Sequence, residues 1–243
     1  MDSSLSDTPD LDRLRGAELT VVGALAGASN HTLLVQLGND QRFGVYKPRM
    51  GERPLWDFPP GTLCKREVAA YLVSALLGWD LVPPTVLREG PFGVGSVQLF
   101  VLHDPAQHYF TLVDEPALHP RLAQLAVFDL LINNADRKGG HVLRIVDDDR
   151  LVGIDHGLTF HVEPKLRTVI WDLGGTALDP GWRADLQRLC NALAARGGDV
   201  ACFDELLGND EIAVLRRRAE LLAGSKRLPD VAPDRRPYPW PPL

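Results

Sequence analysis

The chain has 243 residues, 45% of them hydrophobic and 24% charged, which is the balance of a globular protein and excludes a disordered, collagen-like or coiled-coil chain. Its length fits one domain, in one or two lobes. A net charge of −6 argues against a general grip on nucleic acid or anionic lipid, and no stretch approaches the roughly 18 apolar residues of a membrane span.

Met1 to Arg15 carries four aspartates where a signal peptide needs a basic start and an apolar stretch. The three cysteines, Cys64, Cys190 and Cys202, are far apart and unpatterned, as in a reducing compartment. These features predict a cytoplasmic protein with no nucleic-acid partner and no stable membrane anchor.

Residues 1–15 are polar and acidic and are expected to be flexible; residues 226–243 hold six prolines and are expected to form an irregular tail. Between them, Leu19–Leu25, His31–Leu37 and Arg42–Lys47 read as three strands of a meander. A helix follows, with Thr62 as its cap, Val68, Leu72, Ala75 and Leu76 on one face, and Gly78 as its stop. Thr85–Arg88 and Val94–Leu102 read as two more strands. After His103 the pattern becomes helical. Arg121–Ile132 is apolar nearly all round except Asp129, as a buried helix is. Two short β-rich segments, His141–Val146 and Leu151–Ile154, flank the turn composition Asp147-Asp148-Asp149-Arg150. Two helices close the domain, one with Leu186, Leu189, Cys190 and Leu193 on a face, the other with Ile212, Leu215, Ala219 and Leu222. A strand-rich segment at 16–102 followed by a helix-rich one at 103–225 predicts an α+β protein of two lobes.

The hairpin carries the most informative geometry. With its turn centred near Asp148, His141 and Asp155 lie side by side, their Cβ atoms about 5 Å apart, give or take a register step. Asp136 sits in the loop entering the same end, with Asn133, Asn134, Arg137, Lys138 and His156 nearby. Such a group can hold a divalent cation and orient or deprotonate a hydroxyl. Turn solvation is the plainer role of Asn133, Asn134 and Lys138. Asp155 ends an apolar strand, where an unpartnered carboxylate is costly. Lys47 shares a strand face with Phe43 and Val45, so an inward ammonium there needs an anion; Glu67, on the edge of the first helix, can supply it. The turn Ala26–Asn30 offers small residues and backbone amides, with Ser29 and Asn30, that can cover phosphates, although such hairpins are common. Gln98, Phe100 and Val101 lie on an apolar strand running into the helical half, where backbone can meet a nucleobase.

Taken in order, these pieces resemble the kinase fold in its phosphatidylinositol 3-/4-kinase-like branch, over about residues 19 to 220. The chain is similar to an actinobacterial kinase-fold family related to type II phosphatidylinositol 4-kinases and HipA-like proteins. The resemblance implies a protein-kinase-like fold with a β-rich N-lobe and a helical C-lobe, using ATP and Mg2+ or Mn2+. Val45-Tyr46-Lys47-Pro48 is similar to the lysine strand, which makes Lys47 a ligand of ATP phosphates and Glu67 its helix partner. Asn134-Ala135-Asp136-Arg137 resembles the catalytic loop, which makes Asp136 the group that positions or deprotonates the acceptor hydroxyl. Ile154–Phe160 resembles the metal-binding segment, giving Asp155 the metal. Five residues after Asp136 stands His141, where that branch has asparagine; manganese or zinc tolerates imidazole better than magnesium does, and binding through water or direct contact with phosphate are the alternatives for His141. The implied function is an ATP-dependent phosphotransferase acting on a hydroxyl of a protein or small molecule, with adenylyl transfer as a variant if ATP binds in reverse. Two further readings compete. One is a nucleotide-binding pseudokinase whose proline-rich tail recruits a partner. The other is a metal-dependent phosphohydrolase using His141, His156, His161, Asp136 and Asp155.

Overall fold

The computed structural model describes residues 9–25, 31–39 and 41–243. The N-terminal half is a five-stranded antiparallel sheet of β1 (Leu19–Ala24), β2 (Leu33–Leu37), β3 (Phe43–Pro48), β4 (Thr85–Gly90) and β5 (Gly93–Leu99), ordered β1-β2-β3-β5-β4. Alternation divides its faces: Val35, Tyr46, Val86, Val97 and Leu99 pack into one apolar cluster, so Val45 and Lys47, one residue out of step with Tyr46, look the other way.

The expectation of a flexible segment at 1–15 is corrected for its second half. Pro9–Gly16 forms α1, and Leu11 and Leu14, one turn apart, are buried against the outer face of the sheet. Arg88 of β4 donates to the carbonyls of Leu14 and Ala17 at 2.8 Å and so satisfies the end of the helix. Two leucines are enough for docking once a sheet offers them an apolar face. Leu14→Ala is expected to cost about 2–5 kcal/mol, read as a lower urea midpoint at unchanged slope.

The helix after β3 is α2 (Leu63–Leu77), ended by Gly78 in the left-handed region at φ 68. Thr62 does not cap it through its side chain. Its hydroxyl donates to the Pro59 carbonyl, and the Cys64 amide is taken instead by Glu52 at 2.8 Å. A carboxylate from a distant loop does better there than a hydroxyl, because it adds charge opposite the helix N-terminus.

The strand expected over Val94–Leu102 stops at Leu99, and residues 100–103 form the linker between lobes. The helical half contains α3 (Tyr109–Leu112), α4 (His119–Ile132), α5 (Pro180–Ala195), α6 (Phe203–Leu206) and α7 (Asn209–Gly224). Buried residues cover nearly every face of α4, which runs through the middle of a core shared with α2, α5 and α7. Between α4 and α5 stands a two-stranded hairpin, β6 (Val142–Arg144) with β7 (Leu151–Gly153). Its register pairs Val142 with Gly153, so His141 stands opposite Ile154 rather than Asp155, one step from the expected pairing. No helix is long and apolar enough to cross a membrane among the described residues.

Candidate active site

Four local devices bring the expected residues to one cleft between the sheet and the hairpin. On β3, the strand pleat points Lys47 away from the Tyr46 face. On α2, Glu67 is buried and accepts the Lys47 ammonium on Oε1. After β7, Asp155 adopts φ 59, a left-handed backbone that aspartate tolerates better than most residues, and its Oδ1 meets Lys47 Nζ at 2.8 Å. At the start of β6, His141 places Nε2 3.3 Å from Asp155 Oδ2. The register slip is therefore offset by the turn of Asp155 out of the strand. Glu67 also accepts the His156 amide on Oε2 at 2.9 Å, so one carboxylate fixes both the lysine and the loop that carries Asp155.

The electrostatics follow from this packing. Burial opposes the charge on Lys47, but Asp155 and Glu67 outweigh it and hold its pKa above the usual lysine range. Asp155 is held well below the usual carboxylate range: loss of water works against its ionisation, and Lys47 and then His141 overcome that. Its side chain remains 41% exposed, enough to meet a ligand. Burial lowers His141 to about 4, so its ring is neutral near pH 7. Its Nδ1 lies 3.0 Å from the Asp136 carbonyl and 3.4 Å from the Lys138 amide, and its Nε2 faces Asp155. In the tautomer whose Nδ1–H is held by the Asp136 carbonyl, the Nε2 lone pair turns to the space beside Asp155 Oδ2, where the two residues can share a cation. Among the described residues no three His, Cys, Asp or Glu side chains are gathered to hold an ion on their own. The donor set of one carboxylate and one imidazole fits an ion whose remaining positions go to phosphate oxygens and water.

Asp136 faces the same space with Lys138 Nζ 3.6 Å from its Oδ2. Burial pushes its pKa up to about 6, opposed by Lys138. The folded protein therefore keeps this proton between the ordinary value of 3.8 and about 6, where the unfolded chain has released it, and stability falls as pH rises through that window. Asp136→Asn, which does not titrate, is expected to raise the stability of the ligand-free protein by about 1–3 kcal/mol at pH 7.5 and to leave it unchanged at pH 3.5. The check is denaturant unfolding at both pH values. His141 acts oppositely, losing stability as pH falls from 6.5 towards about 4, but it does so equally in both proteins.

Behind these groups lies a buried support. Arg137 is fully buried; Nε and Nη2 grip Asp129 of α4, and Nη1 donates to the carbonyls of Ile154 at 2.8 Å and His141 at 3.2 Å. Nη2 also lies 2.7 Å from His156 Nε2, and burial together with Arg137 keeps that ring neutral. A Cβ on Gly153 would sit 3.0 Å from this guanidinium, so the hairpin needs glycine there. Asn133 ends α4 at φ 54, and its side chain holds the backbone of His161, Glu163 and Lys165; Asn134 bridges Asp129 and the Asp136 amide. Both asparagines shape the loop.

Other expected residues have different fates. Gln98 is buried, and its amide donates to Thr85 of β4, so its side chain is committed within the sheet. Phe100 donates its backbone N–H to Phe43, and the Val101 carbonyl meets the His103 ring at 3.0 Å. Val101 also packs on Leu143, Ile145 and Val152, an apolar floor on the cleft side of the hairpin that strand alternation could have flagged. Ser29 and Asn30 lie outside the described residues. His156 is locked behind the site and His161 rests on Phe58, so the three histidines are not gathered as the phosphohydrolase reading requires. In the sequence Arg66 is a charge in α2 that nothing local marks. It is buried, pairs with Glu211 of α7 and donates to the Thr159 carbonyl, tying the helix that carries Glu67 to the helical lobe. A cavity of about 540 Å³ opens beside it, lined by Lys65, His161 and Glu211 among others and not by Lys47, Asp136 or Asp155.

No protein-family profile matches the chain. Among solved structures, Hydra Fam20 with sugar superposes at TM-score 0.60 with 16% identity, covering 92% of this chain and 89% of that one. The Helicobacter pylori proinflammatory kinase CtkA superposes at 0.54 with 11% identity, covering 88% and 94%. At such identities the likeness concerns the fold alone, and it is that of a protein kinase, a two-lobed α+β architecture. Protein Rv2133c of Mycobacterium tuberculosis is 43% identical over 267 aligned positions, covering 94% of this chain and 93% of its own. The chain, whose fold is protein-kinase-like, thus belongs to the same family as Rv2133c.

Proposed function

We propose that the chain is an ATP- and divalent-metal-dependent phosphotransferase acting on a hydroxyl of a protein or small molecule. The observation that carries this reading is the convergence of Lys47, Glu67, Asp155, His141 and Asp136 on one cleft of a kinase-type fold. Lys47, fixed by Glu67, is placed to bind ATP phosphate oxygens as a permanent cation. Asp155 and His141 would hold Mg2+ or Mn2+, which when bound neutralises phosphate charge. Asp136 accepts the proton of the acceptor hydroxyl while its oxygen forms a bond to the γ-phosphorus and the bond to the β-bridging oxygen breaks, leaving ADP. A carboxylate whose pKa is about 6 suits that task near neutral pH, since both its forms are within easy reach. Val101 and the floor of Leu143, Ile145 and Val152 offer the nucleobase an apolar seat.

The resemblance to phosphatidylinositol 3-/4-kinases concerns the segments around Lys47, Asp136 and Asp155, which face the nucleotide; it does not extend the proposal to a lipid acceptor. ATP labelled separately at the α and γ positions, with each metal in turn, tests the reading. Transfer of γ label supports it. Transfer of α label would replace it with adenylyl transfer, and binding with neither label moved would replace it with a pseudokinase.

A further inference from the structure

The C-terminal tail is irregular in conformation but is not loose. Residues 226–228 pair with 175–178 through Leu178 N–H to the Lys226 carbonyl, Leu228 N–H to Thr176 and Gly175 N–H to Leu228. The chain then crosses to the loop of Asp136. The Pro237 carbonyl accepts from the Thr168 amide at 3.2 Å and from the Trp171 indole at 3.3 Å, and the Pro242 carbonyl accepts from the Gly139 amide at 2.7 Å. Both ends of this crossing sit on the machinery. Gly139 is three residues from Asp136. Thr168 lies between Arg167 and Val169, whose backbones pair with both sides of Arg137, the residue after Asp136. A Cβ on Gly139 would meet Phe110 at 2.8 Å and Leu243 at 3.2 Å, so the tail lies on the bare backbone of the loop.

We infer that the groove from Trp171 to Gly139 is a binding site for a proline-rich segment, and that residues 237–243 of the chain are its resident occupant. The match is chemical. All three hydrogen bonds across the groove, among the described residues, are donated by the body of the protein and accepted by tail carbonyls. A strand seated on such a surface has no acceptor for its own inward amides, and Pro237, Pro239, Pro241 and Pro242 have none to satisfy. Pro239 is the buried member between the two anchors, while Tyr238, Trp240 and Leu243 are 48%, 89% and 58% exposed, so the backbone, one ring and the edge of Leu243 over Gly139 dock. Proline also fixes its own φ before the segment binds, which lowers the entropy lost on docking. Given the proposed function, on which this consequence rests, an acceptor reaching Asp136 along this face must displace the tail.

Hydrogen exchange on the full-length protein tests the docking without any turnover. The Gly139 amide is expected to be protected in the wild type and to exchange about tenfold faster in Pro239→Asp and in a chain ending at residue 236, the scale of one net hydrogen bond. A fluorescent peptide Pro-Tyr-Pro-Trp-Pro-Pro-Leu is expected to bind the shortened chain and to bind the full-length chain at least about tenfold more weakly, because the tail competes in cis. Exchange of Gly139 at the unprotected rate in the full-length protein, or equal peptide binding by both chains, would overturn the inference. A thermal shift with ATP and metal, measured on the same samples, keeps the two ideas separate. Its absence beside a protected Gly139 would remove the phosphotransferase reading and leave the groove.

Discussion

Asp155→Ala is expected to abolish the rise in Tm that ATP with Mg2+ or Mn2+ gives the wild-type protein. A ligand at 100 times its Kd stabilises a fold by about 2.7 kcal/mol, and for a chain of this size that is about 5–10 °C. The variant loses the carboxylate that faces both His141 and Lys47, and with it the charge that would hold the metal against phosphate. Its fold should persist, because Lys47 keeps Glu67 and the altered side chain is 41% exposed. Transfer of γ label should fall by at least about 10²–10³-fold, the scale of removing one electrostatic contact to a transferring group. Glu163→Ala is the control, since that carboxylate is 72% exposed on the segment beyond the site. A metal-dependent shift that survives in Asp155→Ala would remove Asp155 from the metal and undo the reading of the cleft.

Asp129→Ala should act through the fold. It leaves the Arg137 guanidinium fully buried without its counter-charge, and breaking such a pair costs about 3–5 kcal/mol. The prediction is a lower urea midpoint together with lost phosphotransfer, whereas Asp155→Ala loses transfer at nearly unchanged ligand-free stability. Replacing both partners by Asp129→Leu and Arg137→Met should recover part of the stability, because no unpaired charge then remains. Activity should stay low in that double variant, since Arg137 also holds the carbonyls of His141 and Ile154 that frame the site. Unfolding of Asp129→Ala at the wild-type midpoint would show that the pair contributes nothing net.

The two variants separate what was legible in the chain from what was not. Lys47 stood out as a charge on an apolar strand face, Asp155 as a carboxylate ending an apolar strand, and Asp136 as a member of the loop beside it. Each broke a local pattern, and a broken pattern is visible residue by residue. Asp129 broke the pattern of α4 in the same way, but its partner is eight residues away in a loop, and nothing local names Arg137 as that partner. Arg66 and Glu211, 145 residues apart, could not be paired by any spacing rule.

The chain by itself determined the order of strands and helices, the change from two-residue to helical periodicity after His103, and the residue types that could do chemistry, because these depend on neighbours within a few positions. Tertiary structure decided the rest. It docked α1 through two leucines, replaced the Thr62 cap by Glu52, shifted the hairpin by one residue and corrected its effect through the backbone of Asp155, and laid the proline-rich tail on the Gly139 loop. For α1 and the tail the deciding partner lies far along the chain, for the cap and the hairpin it lies in a neighbouring segment, and in each case an apolar surface or an unsatisfied backbone group exists for a residue to meet only after the rest has folded.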